Sequence, residues 1–143
     1  MDAVLPPEAT QLEEATADQD DEEDDSDDIP GWLAVVRAAE DKKATDILVL
    51  DLREVTTCTD FFVICTGGNA KQLQAITDEV ASQMKRRGEP VISIEGYDGE
   101  WILSDYSDIV LHVFTEKSRE FYSLARLWKE ATQLEIPPAE VAS

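Results

Sequence analysis

The chain has 143 residues, 32 of them acidic and 12 basic, for a net charge of −20. This length allows one domain with a modest core. The charge argues against a direct grip on nucleic-acid phosphates, and no apolar run approaches the roughly 18 residues of a membrane-spanning helix.

The charge is unevenly placed. Residues 1–30 hold thirteen Asp or Glu and no Lys or Arg, so they carry −13 and the remainder −7. With carboxylates crowding Asp20 to Asp28, this segment cannot bury enough apolar surface to offset its ordering entropy. The expected organisation is a disordered acidic tail over 1–30, one domain over 31–135, and a C-terminal tail over 136–143. The tail has two readings, a solubilising extension or an electrostatic element that repels RNA or contacts basic protein tails. It resembles neither a signal peptide nor a basic transit peptide, so a bacterial cytoplasm is the expected compartment.

Trp32, Leu33, Val36 and Ala39 recur at helical spacing and predict an amphipathic helix over about 31–43. Ile47–Leu50 and Phe61–Cys65 are short branched or aromatic runs, expected as buried strands. Thr66-Gly67-Gly68-Asn69 then changes the period. Asn69 and Gln72 form a capping-box pattern, Leu73, Ile76, Val80 and Met84 mark one helix face, and Gly88 is a natural C′ residue. Lys85, Arg86 and Arg87 fall in the last turn, where cations complement the helix dipole; a nucleic-acid patch is the alternative reading. Val91–Ile94, Trp101–Leu103 and Ile109–Phe114 are three further strands. Ser118 is the expected cap of a last helix with a stripe of Phe121, Leu124 and Trp128, widened by Leu127 and Ala131 and stopped by Pro137-Pro138. This order predicts a mixed sheet covered by helices.

Chemistry is sparsely signalled. Cys58 and Cys65 have no CxxC partner and are expected as buried or half-buried free thiols. Gly67-Gly68 before a helix resembles a phosphate-binding turn in outline, but neither GxGxxG nor GxxxxGK[ST] is present. The strand after it lacks the paired carboxylates a nucleotidyltransferase needs for metal. Asp105 and Asp108 lie three apart in a turn without an obvious third ligand. His112 is the only histidine, and no nucleophile motif surrounds Ser104 or Ser107. The expectation is a non-enzyme with no cofactor or metal. Tyr106, in the polar turn Ser104–Asp108, is expected to be an exposed aromatic anchor. Alternation puts Trp101, Leu103 and Asp105 on one strand face.

Four segments carry a family resemblance: KATDILVLDL from Lys43, TDFFVICTGGNAKQLQAITDEV from Thr59, EGYDGEWILSDYSDIVLHVF from Glu95 and REFYSLARLW from Arg119. In this order and spacing the chain resembles the Iojap-related ribosomal silencing factors over about residues 32–130. The resemblance implies an α/β fold with a mixed five-stranded sheet flanked by helices, nucleotidyltransferase-like without the catalytic carboxylates. It implies binding to the large ribosomal subunit through its universal protein number fourteen, which blocks joining of the small subunit and represses translation when nutrients are short. The partner-binding residues expected on this basis are Trp101, Asp105, Tyr106, Asp108, His112, Arg119 and Tyr122, with little direct contact to ribosomal RNA. The aromatic patch is also compatible with a homodimer. Two alternative functions are a large-subunit assembly factor and a relic nucleotidyltransferase fold binding a nucleotide at Gly67-Gly68. The chain departs from the family pattern at Ser107, where glycine is common in the turn, at Asn69 and Lys71, where Ser and Arg are common, and at Ala125, where Glu is usual.

Overall fold

The computed structural model describes residues 29–138. The tail expected over 1–30 lies outside the described residues except for Ile29 and Pro30, as do the last five residues and the side chains of Ala125 and Leu127. The elements are α1 (Gly31–Asp41), β1 (Thr45–Asp51), β2 (Phe61–Gly67), α2 (Ala70–Arg86), β3 (Ser93–Glu95), β4 (Trp101–Asp105), β5 (Ile109–Thr115), α3 (Glu116–Tyr122), α4 (Leu124–Leu127) and β6 (Thr132–Leu134).

The strands form one sheet in the order β3-β4-β5-β2-β1-β6. The central β2–β5 pair is parallel and every other pair is antiparallel. Helices α1 and α2 cover one face because each has a continuous apolar stripe, Leu33, Val36 and Ala39 on the first and Leu73, Ile76, Val80 and Met84 on the second. These pack on Val49, Val63, Cys65, Ile102, Leu111 and Val113 from the sheet.

Local signals end α2 as the sequence predicts. Asn69 accepts from the Gln72 N–H at 2.9 Å. The Gln72 side chain, however, accepts from Gly68 N–H at 2.6 Å rather than from its N-cap. At the other end Gly88 has φ +87°, and Glu89 N–H donates to the Met84 carbonyl at 2.8 Å, closing a Schellman turn. Gly96, in the β3–β4 hairpin, has φ +74°, and a Cβ there would sit 2.4 Å from the Trp101 carbonyl oxygen. Only glycine fits that turn.

Three expectations are corrected. The strand expected at Val91–Ile94 is displaced to Ser93–Glu95, and Ile92 is 64% exposed. It follows Pro90, which has no N–H to donate, and it lies at a sheet edge where only three residues pair. The last helix is capped by Thr115, with Ser118 at N3, and it breaks at Ser123, whose φ is +47°. The chain then adds β6, pairing antiparallel with β1, so the mixed sheet has six strands rather than five.

Ser107 keeps the left-handed conformation associated with glycine, with φ +80°. The Asp105 carboxylate supports the turn by accepting from Ser107 N–H at 2.8 Å. The Cβ of a left-handed residue is strained by more than the extra freedom glycine gains on unfolding. Ser107→Gly is therefore expected to raise stability by about 1 kcal/mol, read as a higher denaturant midpoint at unchanged slope. An unchanged or lower midpoint would show that the Asx turn already offsets the strain.

Candidate docking surface on the second sheet face

Cross-strand register places Trp101 opposite Phe114, Leu103 opposite His112, and Asp105 opposite Val110. These pairs share the face turned away from α1 and α2. His112 is its centre. The Trp101 indole N–H donates to His112 Nδ1 at 3.0 Å, which leaves the imidazole proton on Nε2. The ring is buried and meets Phe62 edge-on at 4.5 Å. Burial penalises the imidazolium and lowers the pKa from 6.5 to about 4. His112 is thus a neutral acceptor that sets the orientation of Trp101.

From Trp101 the aromatic contacts run outward. Its indole stacks on Phe114 at 5.1 Å and lies 4.5 Å from Tyr122, which meets Phe121 at 5.0 Å and 90°. Trp101 is half-buried, Tyr122 is 42% exposed and Phe121 is 79% exposed. The register of α3 comes from its N-terminus. Thr115 and Ser118 cap each other reciprocally, and Ser118 Oγ donates to the Glu100 carbonyl at 2.6 Å.

Arg119 is engaged within the domain. Its guanidinium donates to the Asp46 carbonyl and to Thr66 Oγ1, the latter at 2.8 Å, fastening α3 to β1 and β2. Asp46 lies in the irregular stretch of β1 between Thr45 and Leu48 and has φ +49°. The arginine thus holds a bulge carbonyl that the sheet ladder leaves free.

Asp105 ends β4, about 13 Å from Trp101 at the usual rise of a strand, and Asp108 lies in the turn beyond it. Asp108 is exposed, and its carbonyl accepts from Asp60 and Phe61 N–H at 3.0 Å each. Tyr106, expected to be exposed, is only 6% exposed and lies on the opposite face. There it lines a groove of about 670 Å³ with Trp32, Phe61, Ile92, Ile109 and Leu134. Burial pushes its phenol pKa upward. The polar residues around Tyr106 suggested solvent, but the ring turns under α1. The reading of Phe121 fails in the opposite sense. Its place on the Phe121–Leu124–Trp128 stripe predicted burial, whereas the break at Ser123 leaves it in solvent.

The remaining candidates have local explanations. A Cβ on Gly67 would meet Leu73 Cδ2 at 2.8 Å, so α2 packs closely on the strand end. The Gly68 and Gln72 N–H groups, which a phosphate would need, donate to Gln72 and Asn69 side chains. Among the described residues no cluster of three or more His, Cys, Asp or Glu is arranged to hold a metal. Cys58 is exposed, contrary to expectation, because its loop runs over the surface. Cys65 is buried, and burial raises its thiol pKa to about 12. Arg87 donates to the Ile29 carbonyl at 3.0 Å and faces Glu89 at 3.6 Å, leaving Lys85 and Arg86 on the exposed helix end. Among the described residues no helix is long and apolar enough to cross a membrane.

The α/β domain thus carries a half-open aromatic sheet face, in which half-buried Trp101 is held by buried His112. The family model described as "RsfS: Ribosomal silencing factor during starvation" matches residues 12–143. The chain is 42% identical over 95 residues to the ribosomal silencing factor RsfS of Bacillus subtilis, covering 66% of this chain and 80% of that protein. It is 32% identical over 115 residues to the chloroplastic protein Iojap of Zea mays, covering 80% of this chain and 50% of that protein. A crystal structure of a Chromobacterium violaceum protein superposes with a TM-score of 0.66 at 30% identity, covering 76% of this chain and 88% of the other. The chain belongs to the ribosomal silencing factor family, and the α/β fold expected from the four sequence segments is the observed one.

Proposed function

We propose that this protein binds the large ribosomal subunit through its universal protein number fourteen and sterically blocks association of the small subunit, repressing translation under nutrient limitation in a bacterial cytoplasm. The observation that carries this reading is the family match over residues 12–143. The second sheet face supports it with a suitable surface. Trp101 and Tyr122 supply half-exposed aromatic area, and Asp105 and Asp108 supply charge to orient a basic ribosomal protein. His112 and Arg119 act from behind the surface, the first by orienting Trp101 and the second by holding α3. Tyr106 supports the Asp105–Asp108 turn from the other face. The mechanism is stoichiometric occupancy rather than turnover.

The test is gradient sedimentation of purified subunits under joining conditions. The protein is expected to travel with the large subunit and to reduce joined ribosomes with dose. Replacing Trp101 and Tyr122 together by Ala is expected to weaken binding at least about tenfold, the scale of truncating an interface hot spot. A folded double variant that binds normally would reject this face. A deletion strain that accumulates large-subunit precursors, with joining in vitro unaffected, would instead identify an assembly factor.

A further inference from the structure

We propose that Phe121 is the principal anchor of the docking surface and receives a Lys or Arg side chain from the partner protein on its ring. This inference rests on the docking reading above and specifies its chemistry. Phe121 has the highest exposure of the large apolar side chains exposed among the described residues, at 79%. It is nonetheless held in place. It sits in the last turn of α3, whose start is fixed by the Thr115–Ser118 box and whose middle is fastened by Arg119 to Asp46 and Thr66. Its neighbour Tyr122 braces it at 90° and rests in turn on Trp101. The three rings make a step that rises from the sheet onto the helix. An exposed aromatic on an anchored helix needs little further backbone ordering on binding, which favours affinity.

The occupant follows from charge. Residues 90–115, which build β3, β4 and β5, contain five carboxylates and no Lys or Arg. Glu95 and Asp105 share the Trp101 face, since Glu95 pairs with Leu103. Of the five, Glu100 is exposed beside α3, and Glu116 and Glu120 add two exposed carboxylates on α3 itself. Between Glu95 and Arg126 there are seven Asp or Glu against three cations: Lys117, exposed one turn before Phe121 on α3, Arg126, also exposed, and Arg119, which is engaged internally. An aromatic face bordered by carboxylates attracts a guanidinium or ammonium both through the ring quadrupole and through Coulombic attraction. A nucleic-acid backbone would be repelled by the same border.

The experiment compares full-length protein with Phe121→Ala, Phe121→Leu and Phe121→Tyr for binding to purified large subunits. Because the ring is exposed, all three are expected to melt within a degree or two of the parent. Phe121→Ala is expected to lose about tenfold or more in affinity, Phe121→Leu nearly as much, and Phe121→Tyr little. Parental binding by Phe121→Ala would overturn the anchor role while leaving the docking reading intact. Full rescue by Leu would overturn the cation-receiving role and leave a purely apolar contact. Parent protein that fails to bind large subunits would remove the docking reading and this inference with it. A dimer lost in Phe121→Ala, with subunit binding unchanged, would reassign the step to a second copy of the chain.

Discussion

Between pH 6.5 and about 4 the protein is expected to lose about 3 kcal/mol of stability through His112 alone, given a folded pKa near 4 against an ordinary 6.5. The sign follows from proton counting. In that window the unfolded chain binds a proton at His112 and the folded chain does not. The unfolded state therefore gains on acidification, stability falls as pH drops through the window, and the loss levels off below the folded pKa. Carboxylates also titrate toward the acid end, so parent and His112→Gln are compared by urea denaturation across the range. The glutamine variant keeps every carboxylate and loses only the histidine contribution. The difference between the two curves is expected to shrink by about 3 kcal/mol between pH 7 and 4. Parallel curves would mean that the imidazole is not held neutral. Protonation has a local consequence too. It turns Nδ1 from acceptor to donor and breaks the bond from the Trp101 indole. In the folded chain this bond is therefore expected to be lost only near pH 4.

Tyr106→Ala is expected to destabilise the fold by about 3–5 kcal/mol, as for other large aromatic truncations in a core. The ring packs with Trp32, Phe61 and Ile109 in the α1 face of the molecule. A loss of that size is a large part of the total stability of a small domain. Weakened ribosome binding by Tyr106→Ala would therefore report unfolding rather than a lost contact. Tyr106→Phe separates the two. Among the described residues the buried hydroxyl has no hydrogen-bond partner, and a buried unpaired polar group is destabilising. Removing it is expected to raise stability by about 1 kcal/mol and leave subunit binding unchanged. Thermal melting and sedimentation on the same preparations check both. A less stable Tyr106→Phe would show that the hydroxyl is satisfied after all.

Much of this molecule is written in short-range pattern. The stripes of α1 and α2, the Asn69 cap and the Gly88 stop are each set by residues that follow one another about a turn apart. Likewise, strand alternation alone places Trp101, Leu103 and Asp105 together. Ser107 shows how far such reading extends. Serine in place of the family's glycine pointed to a changed turn geometry, whereas Ser107 keeps φ +80° because the Asp105 carboxylate two residues away caps its N–H.

The errors concern residues whose environment is supplied from far along the chain. Tyr106 and Phe121 exchange their expected roles because exposure depends on which element covers a side chain. Tyr106 lies against the start of α1, some seventy residues earlier, while Phe121 is left uncovered by a break at Ser123. Thr132–Leu134 has little strand signal of its own and becomes β6 because the open edge of β1 supplies the hydrogen bonds. The intramolecular partner of Arg119, a bulge carbonyl at Asp46, lies 73 positions away and was invisible in the local sequence. Helix periodicity and caps are satisfied by neighbours in sequence, so they are visible in the string. Burial, edge pairing and the partner of a charged group are satisfied by whatever the fold brings alongside, so tertiary packing decided them.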